Sequence, residues 1–120
     1  MNTFDLEALR VQLREFTDAR DWQQFHTPKN LAMALIVEAA ELVEHFQWLS
    51  AEQSKSLDAE RCEQVALEMA DILIYLTRLA DTLGIDLLEA AQRKLAVNQH
   101  RYPVEKARGN AAKCTDSQGV

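Results

Sequence analysis

Apolar residues return every three or four positions along most of the chain, the period of helices that bury one face. From Phe4 onward, Leu6, Leu9, Leu13 and Phe16 follow this step, which predicts a first helix capped by Thr3 and running to about Arg20 or Asp21. Segment 21–28 (DWQQFHTP) breaks the pattern, and Thr27-Pro28 starts a second helix over 28–49: the hydroxyl accepts from free N–H groups, and proline sacrifices none that matter. Residues 50–56 (SAEQSKS) are polar and predict a loop or frayed turn. A third helix is expected over 57–83, stopping at Gly84, which suits a left-handed cap. Asp86, with Glu89 three residues on, opens a fourth over 86–100. Beyond Pro103 the periodicity is lost, which predicts an extended tail that could wrap a partner. No period-two alternation and no Asn-Gly hairpin signal occurs. The expected fold is therefore all-α, a four-helix bundle core forming a single domain over residues 1–120.

Two of these helices carry acids where apolar residues belong. On the second, Leu31, Ala34, Leu35, Glu38, Glu41, Leu42 and His45 share one stripe; on the third, Val65, Glu68, Asp71, Ile72 and Tyr75 do so. Acids three residues apart repel each other, and burying them ionised without a partner costs several kcal/mol per charge. A single such pair reads best as a solvated edge of the stripe. Two pairs, each inside an apolar run (ALIVEAAEL and VALEMADILIYL), point to a divalent cation. All-oxygen donors suit Mg²⁺, with Mn²⁺ as a possible substitute, holding one or two ions. A di-iron bundle would need Glu-x-x-His on two helices, and the third residue after each leading acid here is Glu41 or Asp71. Glu44 continues the spacing but reads as a surface acid.

Charge then narrows the partners. Asp and Glu outnumber Lys and Arg 19 to 13, and an acidic surface repels nucleic-acid polymers. A small anionic substrate remains compatible if a cation accompanies it. A chain of 120 residues has a thin core, which favours pairing with a copy of itself. Cys62 and Cys114 lack metal-ligand spacing and read as free thiols in a reducing compartment. The opening MNTFDLEALR does not resemble a signal peptide, and the apolar runs at 31–37 and 72–76 are too short to span a membrane. A cytoplasmic location is expected.

The order E38-x-x-E41, polar loop, E68-x-x-D71 resembles the MazG-like all-α nucleoside triphosphate pyrophosphohydrolase superfamily. With R20-D-W-Q-Q-F-H-T-P-K-N30, F46-Q-W48, D71-I-L-I-Y75 and N98-Q-H-R-Y-P103, the chain is similar to the deoxycytidine triphosphate pyrophosphatase branch over residues 4–115. The resemblance implies hydrolysis between the α and β phosphates, giving the monophosphate and pyrophosphate in nucleotide-pool house-cleaning. It implies Mg²⁺ bound by Glu38, Glu41, Glu68 and Asp71, with no carboxylate singled out as base; Glu41 is the working choice. It implies a homo-oligomer, commonly a tetramer built as two dimers. It places Trp22, His26, Trp48 and Tyr75 near the nucleotide, whereas either tryptophan alone would read as packing; Phe25 reads as core. Lys94, Asn98 and Arg101 lie on one helical face by their spacing, a solvated face in isolation; with the resemblance they and Tyr102 become candidate phosphate-binding residues. Arg93 reads as a surface charge. The resemblance favours dCTP and its modified forms, with dATP an alternative. The competing reading is a non-catalytic helical module for metal–nucleotide binding or dimerisation.

Overall fold

The computed structural model describes residues 3–113, and among them every regular element is helical. In order these are α1 (Leu6–Ala19), a 3₁₀ turn (Gln23–Phe25), α2 (Pro28–Glu44), α3 (Ala51–Ser54), α4 (Ala59–Leu83), α5 (Leu87–Arg101) and α6 (Val104–Ala107). The four long helices are the four that the periodicity predicts. The ends differ, each for a local reason. Asp5, not Thr3, caps α1, its carboxylate accepting from the Ala8 amide at 2.9 Å. α2 stops at Glu44, five residues early, where the chain goes into successive turns through Leu49. The polar stretch after it contains α3, held by a reciprocal box in which Ser50 and Gln53 satisfy each other's backbone N–H groups. Thr27 caps α2 and Gly84 ends α4 at φ 67°, both as expected. Val104–Ala107 makes one helical turn within the stretch expected to be extended. Cys114 lies outside the described residues, and Cys62 is an exposed free thiol.

The described residues divide into two compact units at Gly84–Ile85. In the first, α4 packs against both α2 and α1, with the more extensive interface on α2. α2 turns its predicted stripe inward: Leu31 is buried, and Ala34, Leu35, Glu38, Glu41, Leu42 and His45 are half-buried. α4 does the same with Val65, Glu68, Asp71, Ile72 and Tyr75. The opposite faces are also apolar. Met33, Ile36, Val37 and Val43 on α2, and Leu67, Met69 and Leu73 on α4, are exposed. A helix apolar all round is one that expects to be covered. Full burial of hydrophobic side chains is correspondingly scarce, reached among the described residues by Leu31, Val65 and Ala80. Thr17, Thr77 and Arg78 are buried polar residues beside them. The second unit contains α5, whose N-cap Asp86 accepts from the Glu89 amide at 3.0 Å, and α6.

Candidate active site

α2 and α4 bring three carboxylates together. One oxygen each from Glu38, Glu41 and Glu68 lies within 4.8 Å of the others, and all three residues are half-buried. Glu38 Oε2 and Glu68 Oε2 are buried without a hydrogen-bond partner, which leaves lone pairs shielded from water. Burial pushes the Glu38 carboxyl up to about 7, reinforced by hydrogen bonds shared with Glu41 and Glu68 and by the charges of Glu41 and Asp71. Removing a hydrated charge into a pocket of like charge favours the protonated form. A divalent cation would relieve both problems, because it takes only oxygen donors and needs the lone pairs that are otherwise orphaned. The donor set thus fits such an ion.

Asp71 stands one turn further along α4 and is not part of this trio. It lines a neighbouring cavity of about 340 Å³, the size range of small-molecule sites. α1 supplies the apolar wall with Leu9, Leu13 and Phe16; α4 supplies Asp71, Ile74, Tyr75 and Arg78. Trp22 and His26 come from the connection between α1 and α2. Aromatic faces, aliphatic walls and a few polar groups are what a flat, partly polar ring requires.

Local backbone chemistry aims these two side chains. Asp21 adopts φ 54°, a left-handed conformation that Asp tolerates better than most residues. The Asp21 amide donates to the Asp18 carbonyl and the Trp22 amide to the Thr17 carbonyl, both at 3.1 Å. This is a Schellman cap with Asp where glycine is usual. It folds Trp22 back onto α1, edge-on to Phe16 with centroids 5.7 Å apart. The His26 amide closes the 3₁₀ turn on the Gln23 carbonyl at 3.1 Å. Asn30 Nδ2 donates to the Phe25 carbonyl at 3.0 Å, tying the connection to the first turn of α2.

Beneath His26 lies an ion network. Arg78 Nε donates to His26 Nδ1 at 3.4 Å, and Arg78 Nη1 to Asp81 Oδ2 at 3.1 Å. The Arg78 and Asp81 side chains are 7% and 6% exposed. Asp81 also accepts from Arg10 at 3.1 Å and from Arg14 at 2.6 Å, so one carboxylate gathers α1 and α4. Burial works to raise the Asp81 carboxyl, but the hydrogen bonds from Arg14 and Arg10 outweigh it and hold it below its ordinary value. Burial, and then the Arg78 charge, lower the His26 imidazole.

Of the twelve candidate residues, the structure gathers Glu38, Glu41 and Glu68 at one place, and Asp71, Tyr75, Trp22 and His26 at the adjoining cavity. Trp48 is 86% exposed beyond the end of α2 and is not among the cavity's lining residues. Lys94, Asn98 and Arg101 lie on α5, with Tyr102 as its C-cap, in the second unit. Phe25, expected in the core, is 59% exposed. Arg78 was not a sequence candidate, although a lone arginine inside an apolar run (LIYLTRLAD) is its trace. Asp81 and its partners Arg10 and Arg14 left no local signal, since they meet across 67 to 71 residues.

Residues 33–116 match the model of the MazG-like family. The chain is 45% identical over 113 residues to dCTP pyrophosphatase 1 of Bos taurus, covering 92% of this chain and 67% of that protein. It is 41% identical over 113 residues to dCTP pyrophosphatase 1 of Homo sapiens, covering 92% and 66%; it thus spans about two thirds of the length of these relatives. A pyrophosphatase crystal structure from Archaeoglobus fulgidus superimposes with a TM-score of 0.79 at 42% identity, over 86% of this chain and 96% of that one.

Proposed function

This chain belongs to the MazG-like family, and from that premise we propose that it is a Mg²⁺-dependent nucleoside triphosphate pyrophosphohydrolase acting on dCTP and related deoxynucleotides. The observation that carries the reading is a carboxylate trio with orphaned oxygens between α2 and α4, one turn along α4 from the Asp71 that lines an aromatic cavity. Glu38, Glu41, Glu68 and Asp71 would hold Mg²⁺, with Mn²⁺ as a substitute. The ion would neutralise the phosphate chain and acidify the attacking water.

Trp22 and Tyr75 embrace the base and sugar, and His26 offers a ring nitrogen to them. Glu41 takes the proton as water attacks phosphorus and the α–β anhydride breaks, leaving monophosphate and pyrophosphate. Lys94, Asn98, Arg101 and Tyr102 are proposed as phosphate contacts, and Trp48 as a stacking face for the base, on the family resemblance alone. The role is removal of unwanted nucleotides in the cytoplasm; no helix among the described residues is long and apolar enough to cross a membrane. The exposed apolar faces of α2 and α4 support a homo-oligomer, a dimer or tetramer. The acidic balance argues against a nucleic-acid polymer as partner.

A panel of canonical and modified triphosphates, incubated with Mg²⁺ or Mn²⁺, tests the reading through product identity. Pyrophosphate released in equal amount with the monophosphate is expected. Orthophosphate release, or saturable nucleotide binding with no product, would overturn it, the latter in favour of a non-catalytic binding module.

A further inference from the structure

Arginine offers five N–H donors and no acceptor at any accessible pH. A ring nitrogen that receives a bond from it must therefore carry a lone pair. In this structure that nitrogen is Nδ1 of His26, 3.4 Å from Arg78 Nε. The imidazole proton is then confined to Nε2. The constraint is firm because Nη1 of the same head binds Asp81, and both side chains are almost wholly buried. Asp81 is in turn fixed by Arg10 and Arg14 from α1. Arg78 itself also lines the cavity that His26 faces.

We propose that Arg78 is a positioning residue that holds His26 as a neutral, Nε2-protonated ring, so that His26 serves the cavity as a hydrogen-bond donor and selects an acceptor atom on the base or sugar. Without Arg78 neither the tautomer nor the orientation of the ring is held, and the hydrogen bond to that acceptor is forfeited. A base presenting an exocyclic amine to Nε2–H is rejected, since two donors would meet. The proton assignment stands on the Arg78 bond alone; its consequence for selectivity rests on the nucleotide reading of the cavity.

The two are separated by nitrogen-15 spectroscopy of the imidazole rings in the full chain without nucleotide, with the His26 signals assigned by their loss in His26→Gln. The expected pattern is an unprotonated Nδ1 and a protonated Nε2. Arg78→Met should scramble that pattern and raise KM for the preferred triphosphate about tenfold, the value of one hydrogen bond to bound substrate, with kcat within about threefold. Arg78→Lys, which keeps a donor, should recover part of the KM. A protonated Nδ1 in the unaltered protein overturns the proposal, and so does an Arg78→Met protein that keeps the pattern or loses kcat while keeping KM. Should Arg78→Met fail to fold, Arg78→Ala carries the comparison, and a protonated Nδ1 in the unaltered protein still overturns the proposal. A chain that hydrolyses no triphosphate yet shows the expected spectrum refutes the proposed function and leaves the positioning role of Arg78 standing.

Discussion

Replacing Glu38 by Gln should stabilise the metal-free protein at alkaline pH, the reverse of what loss of a structural acid does. Glu38 sits at about 7 in the fold against an ordinary 4.5, because burial and the neighbouring carboxylates disfavour its charge. A raised carboxyl contributes stability that is fully present below about 4.5 and lost as pH climbs through about 7. The difference between 4.5 and 7 sets an upper bound of about 3 kcal/mol. Glu38 is only half-buried, and solvent screening reduces this to about 1 kcal/mol. For 120 residues, 1 kcal/mol moves the melting temperature by roughly 4 °C. Calorimetry in chelator should therefore find the unaltered protein losing stability between pH 5 and pH 8, and Glu38→Gln melting roughly 4 °C higher than it at pH 8. Excess Mg²⁺ should invert the order, since the unaltered trio gains a ligand that the amide no longer attracts. A Glu38→Gln protein that melts lower at pH 8 in chelator would refute the reasoning. So would a melting temperature that ignores pH over this window.

Asp81→Asn should be severe: it leaves the buried Arg78 without its counter-charge, a loss of about 3–5 kcal/mol, read as a fall in melting temperature of more than about 10 °C. The sign with pH is opposite to that of Glu38. Asp81 is held below its ordinary 3.8, so its contribution is present above that value and lost as pH falls beneath it; acid unfolding of the unaltered protein should be correspondingly steeper than that of Asp81→Asn. Asp21→Gly should raise the melting temperature slightly, by up to about 1 kcal/mol of relieved left-handed strain, with CD spectra unchanged. Trp22→Ala should raise KM about tenfold or more by removing a stacking face worth about 1–3 kcal/mol, while melting shifts little because the ring is partly exposed in the free protein.

The helices were legible because their caps and periods are local. Thr27-Pro28, Asp86 and Gly84 mark their ends through chemistry contained within four residues, and the acidic pairs advertise themselves by standing on apolar stripes. Asp21 was not legible as a cap, since the conformation it adopts is one the sequence signals through glycine. The outward faces of α2 and α4 were obscured for a different reason: Met33, Ile36 and Val37 intervene between stripe positions, and a helix apolar on every side gives no contrast by which to choose a face. Arg78 and Asp81 were illegible because their meaning depends on Arg10 and Arg14, which only folding brings near. Three of the four acids meet as the spacing suggested. The fourth, Asp71, lies at the cavity wall one turn further along α4 than Glu68.

The gathering of arginines on Asp81 has a consequence for motion. α1 forms much of the cavity's apolar wall, yet its contacts with α4 are less extensive than those of α2. Part of the bond between this wall and the rest of the unit is ionic, through Arg10 and Arg14 on Asp81, and Arg14 is half exposed at its outer edge. Ionic fastenings weaken with dissolved salt, whereas apolar ones do not. α1 is thus fastened to α4 partly by an electrostatic latch. Its amides should exchange with solvent faster than those of α4, faster still as ionic strength rises, and slow again once a ligand bridges the two helices.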